Sequence, residues 1–179
     1  LAWCEGEGVW PNGRRYLWTD GFGVVLLTAL ADATGDDTHL DRAEALVADV
    51  DRVLGRPVGY RIGEAADRYG QYFHYLTIWA FALGVLGRRR VGYRGRAIDL
   101  VRAVHPQCLI PGTGIWWKML EDLSGPEPGF GLGALDPFQA LAVYRFLDEG
   151  TGELAQHTAE LRTLAESSWR SLHIEQDLG

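Results

Sequence analysis

Apolar residues fall at Phe22, Val25, Leu26, Ala29, Leu30 and Ala33, the spacing of one helix face. The positions between them, such as Val24 and Leu27, are apolar too, and no charge interrupts the run before Asp32. A helix that is apolar all round is expected to be buried on all sides. After the turn "ATGDD" a different helix follows, over Thr38–Leu54. Ala43, Leu46, Val47, Val50 and Leu54 make one apolar stripe, while Asp41, Arg42, Glu44, Asp51 and Arg52 make a wet face. The pair then repeats. Tyr72–Leu86 is apolar throughout, and Arg96–Val104 is amphipathic with Ala97, Leu100, Val101 and Val104 inward. "LDPFQALAVYRFL" begins a third dry helix, with Asp136 suited to the N-cap and Pro137 to the first helical turn. Leu154–Trp169 closes the series with a wet-faced segment.

Dry and wet helices therefore alternate three times. "TDGFGVVLLTALADATGD" and "LDPFQALAVYRFLDEGTGE" align by eye, Asp20 on Asp136 and Phe22 on Phe138, at an offset of 116 residues or two units of about 58. Such helical hairpins predict an all-α fold, a curved α/α array amounting to half of an (α/α)6 toroid. A short extended segment is expected near 115–120, the place for any strand. The whole chain, 1–179, reads as a single α/α hairpin domain and as a fragment of a longer toroid. An open array leaves its end hairpins without a neighbour, which predicts self-association or a missing chain segment.

Composition adds exclusions. The net charge is −7, from 24 acids and 17 bases, and the only basic run is Arg88-Arg89-Arg90, read as a solvated helix end; a nucleic-acid partner is not expected. Residues 70–87 carry no Asp, Glu, Lys or Arg, but Gln71, His74, Thr77 and their aromatic neighbours favour a buried helix over a membrane span. Cys4 and Cys108 allow one disulfide and suggest none, with no CxxC pair or metal-ligand spacing, so neither metal nor cofactor is expected. The milder assumption is a reducing, cytoplasmic compartment. A first residue of Leu1 reads as an internal start, so that the lack of a leader says little.

The candidate chemistry gathers before the dry helices: "RRYLWTD" (14–20), "DRYGQYFHY" (67–75), and "WWKMLEDLS" with the loop to Asp136. In a toroid the starts of the inner helices share one end, so these clusters would meet at one mouth, where helix N-termini favour anionic groups. Aromatic rings can cover the C–H faces of sugars while Asp, Gln, His and Arg bond the hydroxyls. Glycoside hydrolysis uses two carboxyl groups, and by position the carboxylates are Asp20, Asp67, Asp122 and Asp136. The catalytic candidates are Asp20, Asp67, Asp122 and His74. Candidates for binding a small carbohydrate or glycan are Tyr16, Trp18, Arg68, Gln71, Tyr72, Trp116, Trp117, Lys118 and Asp136. Each has a plainer reading: Asp20 and Asp136 as helix caps, Asp67 paired with Arg61 or Arg68, and His74, Tyr72, Tyr75 and Trp79 as core.

"RRYLWTDGFG", "DRYGQYFHYLTIWAFAL" and "WWKMLEDLS…LDP" resemble motifs of a bacterial group in the six-hairpin glycosidase-like superfamily, over roughly residues 14–145. The resemblance implies an (α/α) toroid and relatives among hydrolases, lyases and sugar epimerases, without assigning a reaction. A hydrolase would use two of Asp20, Asp67 and Asp122 as acid and base; an epimerase would use His74 to carry the proton. A non-catalytic array that binds a sugar or a protein partner on its concave face is the other reading. A terpene-cyclase-type toroid lacks its aspartate-rich strings here. Lys118 is the only lysine in the chain. As a strand residue it would share a face with Trp116 and Leu120, and its amine would reach Asp20 or Asp122 at the mouth, or lie on the surface by chance.

Overall fold

The computed structural model describes residues 13–172 together with Trp3 and Gly6. Expectations that rest on Leu1 and Cys4 lie outside the described residues. Six α-helices run through them: α1 Leu17–Thr34, α2 Thr38–Leu54, α3 Phe73–Gly87, α4 Tyr93–Cys108, α5 Asp136–Asp148 and α6 Ala155–Ser168, with a 3-10 turn at Trp169–Ser171. Each odd helix pairs with the even helix after it, and α3 packs between α1 and α5. The dry helices are thus an inner row and the wet ones an outer row. Two glycines let the inner row close up. A Cβ on Gly21 of α1 would lie 3.1 Å from Ile78 Cγ2 of α3, and one on Gly84 of α3 would lie 2.3 Å from Leu147 Cδ2 of α5.

The core is continuous across all six helices, with Leu17, Leu40, Leu54, Phe73, Trp79, Leu83, Ile98 and Tyr144 fully buried. One expectation reverses. The α1 stripe that the period picks out is not the buried face. Phe22 and Leu26 are 51% and 46% exposed, and Ala29 and Ala33 are exposed as well. Leu17, Gly21, Val24, Leu27, Thr28 and Ala31 face α2 and α3 instead. A helix apolar all round has no phase for periodicity to find, and α1 has an inner-row neighbour on one side only.

Helix starts also move. The N-caps of α1 and α5 are Tyr16 and Leu135, neither with a side-chain cap, so Asp20 and Asp136 sit inside the first turns. Asp20 is the fourth residue of α1, whereas Asp136 is the first of α5. The aligned repeats therefore use different helix frames. α4 is longer at both ends than Arg96–Val104, since Pro106 falls so near its C-terminus that few hydrogen bonds are lost.

Strands are short but wider spread than 115–120. β1 (Gln71–Tyr72) pairs antiparallel with β4 (Lys118–Met119), and β2 (Leu109–Ile110) pairs with β3 (Gly114–Ile115). The β1–β4 pair ties the loop before α3 to the loop before α5, at the inner helices' starting end. The arginine triplet is engaged, not merely solvated. Arg88 pairs with Glu149, Arg89 with Asp32 and Asp37, and Arg90 with Asp41 and Glu44, tying the end of α3 to α1, α2 and α5. Among the described residues no helix is long and apolar enough to cross a membrane.

Candidate functional site

The starts of α1, α3 and α5 meet, as the order of dry helices implies. Trp18 of α1 packs on Tyr75 and His74 of α3, with ring centroids 5.0 and 5.8 Å apart. The Tyr16 and Tyr75 hydroxyls share a short hydrogen bond. Tyr72, the residue before α3, touches His74 and Trp117 at 5.3 and 5.1 Å, and the Trp117 ring stacks on the His74 ring at 6.0 Å with 11° between planes. Phe130, in the glycine- and proline-rich loop before α5, closes the cluster against Trp117 at 5.6 Å.

His74 stands at the foot of these rings. Its Nδ1 lies 3.8 Å from Asp136 Oδ1, and both atoms are buried without a hydrogen-bond partner. Burial pushes the imidazole down to about 4, so it is neutral at pH 7 and the contact is not an ion pair at that pH. Burial pushes the Asp136 carboxyl up to about 7, against backbone hydrogen bonds at Asp136 and His74 that lower it. Gln139, one turn along α5, donates to the His74 carbonyl at 2.8 Å and to Thr77 Oγ1 at 2.6 Å, fixing α3 against α5 at this level.

The other carboxylates are placed differently. Asp20 is buried beneath Arg15 at 3.5 Å and accepts the Tyr16 amide at 3.0 Å, an arrangement that secures the start of α1. Asp122 is exposed and bound into its own turn by Ser124, whose hydrogen bonds hold its carboxyl below the usual range. Asp67 is exposed in the turn before Arg68. The partners proposed for Asp67 are turned elsewhere: Arg61 to Glu121 and the Ala65 carbonyl, Arg68 over the Tyr16 ring at 4.0 Å.

Gln71, a candidate for sugar binding, is turned into the loops. It is fully buried, accepts from the Tyr60 amide, and donates to the Val58 and Glu121 carbonyls at 2.8 and 2.7 Å, so its hydrogen-bonding capacity is spent on the loops. Lys118 reaches neither Asp20 nor Asp122. The side chain is 4% exposed, and Nζ lies 4.0 Å from the centre of Tyr69, 4.6 Å from Phe130 and 5.6 Å from Tyr72. A compact ammonium fits such a ring-lined slot, where a cation–π contact is worth about 0.5–2 kcal/mol. The strand alternation fails because the chain bends at Trp117. Trp116 turns to the core and bridges to Leu132, while Trp117 remains in the aromatic cluster.

Tyr75, Phe130 and Gln139 also stand at this cluster. Tyr75 lies in the motif at core spacing, whereas Phe130 and Gln139 carry no periodic or motif signal. Two cavities lie away from the cluster. One, about 550 Å³, lies between α1 and α2 and includes Leu27, Leu46 and Val53; the other, also about 550 Å³, lies beside Tyr60 and Arg96. The aromatic cluster is an open face at the mouth of a half-ring.

No family model matches the sequence, and no curated protein matches it either. Solved structures do match in fold. A cellobiose 2-epimerase from Bacillus thermoamylovorans superposes with a TM-score of 0.69 at 13% identity, over 86% of this chain and 45% of that one. A D-mannose isomerase gives 0.68 at 16% identity over the same shares, and a polysaccharide lyase gives 0.61 at 13% identity over 95% and 51%. The chain spans about half the length of each of these structures. The likeness shows the fold: three helical hairpins that make up one half of an (α/α)6 toroid.

Proposed function

We propose that the chain carries half of a sugar-processing site whose chemistry is proton transfer at carbon, of the epimerase or isomerase type. The observation that carries the reading is the His74–Asp136 contact at the foot of the aromatic cluster. A neutral imidazole can accept the proton from a sugar carbon beside a carbonyl, the freed pair passing into an enediolate; return of a proton to the other face inverts the centre. With Nδ1–H turned to the Asp136 oxygen, Nε2 is the nitrogen that accepts the proton, and an approach of about 1 Å would make the Nδ1 contact a hydrogen bond. Trp18, Tyr72 and Trp117 cover the apolar faces of the ring. Likeness in fold to an epimerase and an isomerase supports the same class.

Hydrolysis is less well supported. It needs two carboxyl groups about 5–9 Å apart across the bond. Of the four candidates only Asp136 adjoins the aromatic cluster with an unpartnered oxygen. A non-catalytic sugar binder would use the same rings and leave His74 without a chemical task.

The test is incubation with D-mannose, D-glucose and cellobiose in deuterated water, read by proton NMR at C2. The expected result is solvent deuterium at C2, lost in His74→Gln, with a rate that falls as pH drops below about 4. Exchange retained in His74→Gln would overturn the assignment. A sugar that binds but never exchanges would favour the binder.

A further inference from the structure

Inverting a sugar carbon takes two proton carriers, one for each face of the enediolate, whereas moving a proton between neighbouring carbons on one face takes one. His74 can be the first carrier. A second must hold a proton at neutral pH and stand beside His74. The rings of Trp18, Tyr72, Tyr75 and Trp117 border His74. Indole N–H groups donate hydrogen bonds but do not give up protons in water. The Asp136 oxygen faces Nδ1, and Lys118 is held under Tyr69 and Phe130. Of the two phenols, Tyr75 is the nearer, its ring centroid 4.7 Å from that of His74 against 5.3 Å for Tyr72.

Tyr75 also has what Tyr72 lacks, a second hydroxyl bonded to its own. The Tyr16 and Tyr75 hydroxyls hydrogen-bond each other, and neither has another hydrogen-bond partner among the described residues. In such a pair one hydroxyl donates and the other accepts, so the acceptor's own hydrogen is left over for a third group. Burial, and then the bond to Tyr16, push the Tyr75 phenol above its usual range, so it keeps its proton at pH 7. It is still a stronger acid than the C–H bond formed beside a sugar carbonyl. The two side chains are half-buried and fixed in place. Their rings meet edge to face at 5.6 Å, and Trp18 covers Tyr75 at 5.0 Å. Arg68 lies over the Tyr16 ring, 4.0 Å from its centre, where a positive charge favours negative charge on the pair. Glycine at position 63 allows that seat: a Cβ there would come 3.0 Å from Arg68 Cδ and 3.2 Å from Tyr16 Cδ2.

We infer that Tyr75 is the second proton carrier, refilled through Tyr16, and that the site therefore inverts a sugar carbon rather than isomerising an aldose to a ketose. The inference rests on the proton-transfer reading of His74. In the step, His74 Nε2 takes the C2 proton of the open-chain aldose, and the pair of that C–H bond passes into the enediolate. The Tyr75 O–H bond then breaks, its proton goes to C2 on the other face, and the enediolate pair forms the new C–H bond. Tyr75 is left as phenolate and His74 as imidazolium. Tyr16 passes its proton to Tyr75, and water carries the imidazolium proton back to Tyr16. No oxidant or further reactant is needed.

The experiment incubates the whole chain with D-mannose, D-glucose and cellobiose in deuterated water and follows two rates by NMR: deuterium entering C2 of the recovered sugar, and appearance of the C2 epimer. The parent is compared with Tyr75→Phe and Tyr16→Phe, each checked for its helical fold by circular dichroism. In Tyr75→Phe the epimer is expected to form about a hundredfold more slowly or worse, while deuterium still enters the recovered sugar from His74. Tyr16→Phe should show the same split to a smaller extent, and it carries the test if Tyr75→Phe does not fold. Loss of both rates together in a folded variant would make the pair structural and overturn the inference. Epimer formation unchanged in both variants would overturn it too, and either result leaves the His74 reading standing. A parent that forms only a ketose would overturn the second carrier, since one base suffices for that reaction. A parent that brings no deuterium to C2 would overturn this inference and the reading on which it rests.

Discussion

Two histidines, His105 buried and His74 half-buried, each face a carboxylate in different parts of the molecule and are treated in opposite ways. His105, on α4, has both ring nitrogens engaged: Nε2 with Glu160 of α6 at 3.1 Å and Nδ1 with the Tyr144 hydroxyl of α5 at 3.2 Å. His74, on α3, leaves Nδ1 unbonded, and so does the Asp136 oxygen that faces it at 3.8 Å. Burial lowers both imidazoles to about 4. The first arrangement ties three helices together with satisfied polar groups. The second holds two unsatisfied ones beside an open aromatic face. Unpartnered buried polar atoms cost stability, and their place at the meeting of three helix starts is the physical reason to assign them chemistry.

The contrast can be broken by substitution. The largest effect is expected at Asp136. Its carboxyl keeps a proton up to about 7 in the folded state, whereas the ordinary value is 3.8. The stability this contributes is present in full below the ordinary value and lost as pH rises to about 7. The loss corresponds to something on the order of 4 kcal/mol. Asp136→Asn should therefore stabilise the protein above pH 7 and leave it nearly unchanged at pH 4, measured by urea unfolding at both values.

His105→Ala should come next. It removes a buried side chain and strips Tyr144 and Glu160 of a partner, a loss of about 2–4 kcal/mol by denaturant midpoint at pH 7. The parent should also lose stability as pH falls from 6.5 through about 4, because His74 and His105 must take up protons that the unfolded chain binds more readily. Replacing His105 should flatten that acid limb.

The smallest effect is expected at His74. His74→Gln gives up ring contacts worth about 0.5–1.5 kcal/mol and no hydrogen bond at Nδ1. A loss as large as that of His105→Ala would make His74 a structural residue after all.

Much of the fold was legible in the chain because dry and wet helices differ in composition along their whole length. Asp41 to Arg52 mark α2 as an outer helix whatever its neighbours do. What was not legible had no local cause. The buried face of α1 depends on which flank α3 occupies, and Phe22 and Val24 are equally apolar as text. Gln71 looked like a sugar ligand because nothing nearby in sequence announces the Tyr60, Val58 and Glu121 groups that consume it. Lys118 stands out as the chain's only lysine, but the bend at Trp117 that sends it under Tyr69 and Phe130 has no signature in the residues. At the site, His74, Trp18, Tyr72, Trp117 and Asp136 could be named as candidates from the order of helix starts alone, whereas Phe130 and Gln139 enter only through tertiary packing.

The pairing of His74 with Asp136 is open to direct observation without a substrate, by NMR titration of the His74 ring in the parent and in Asp136→Asn. The account predicts that His74 protonates near 4 and that its ring resonances shift again near 7 as Asp136 ionises, with the second step absent in the variant. A single step near the ordinary histidine value of 6.5, identical in both proteins, would contradict it.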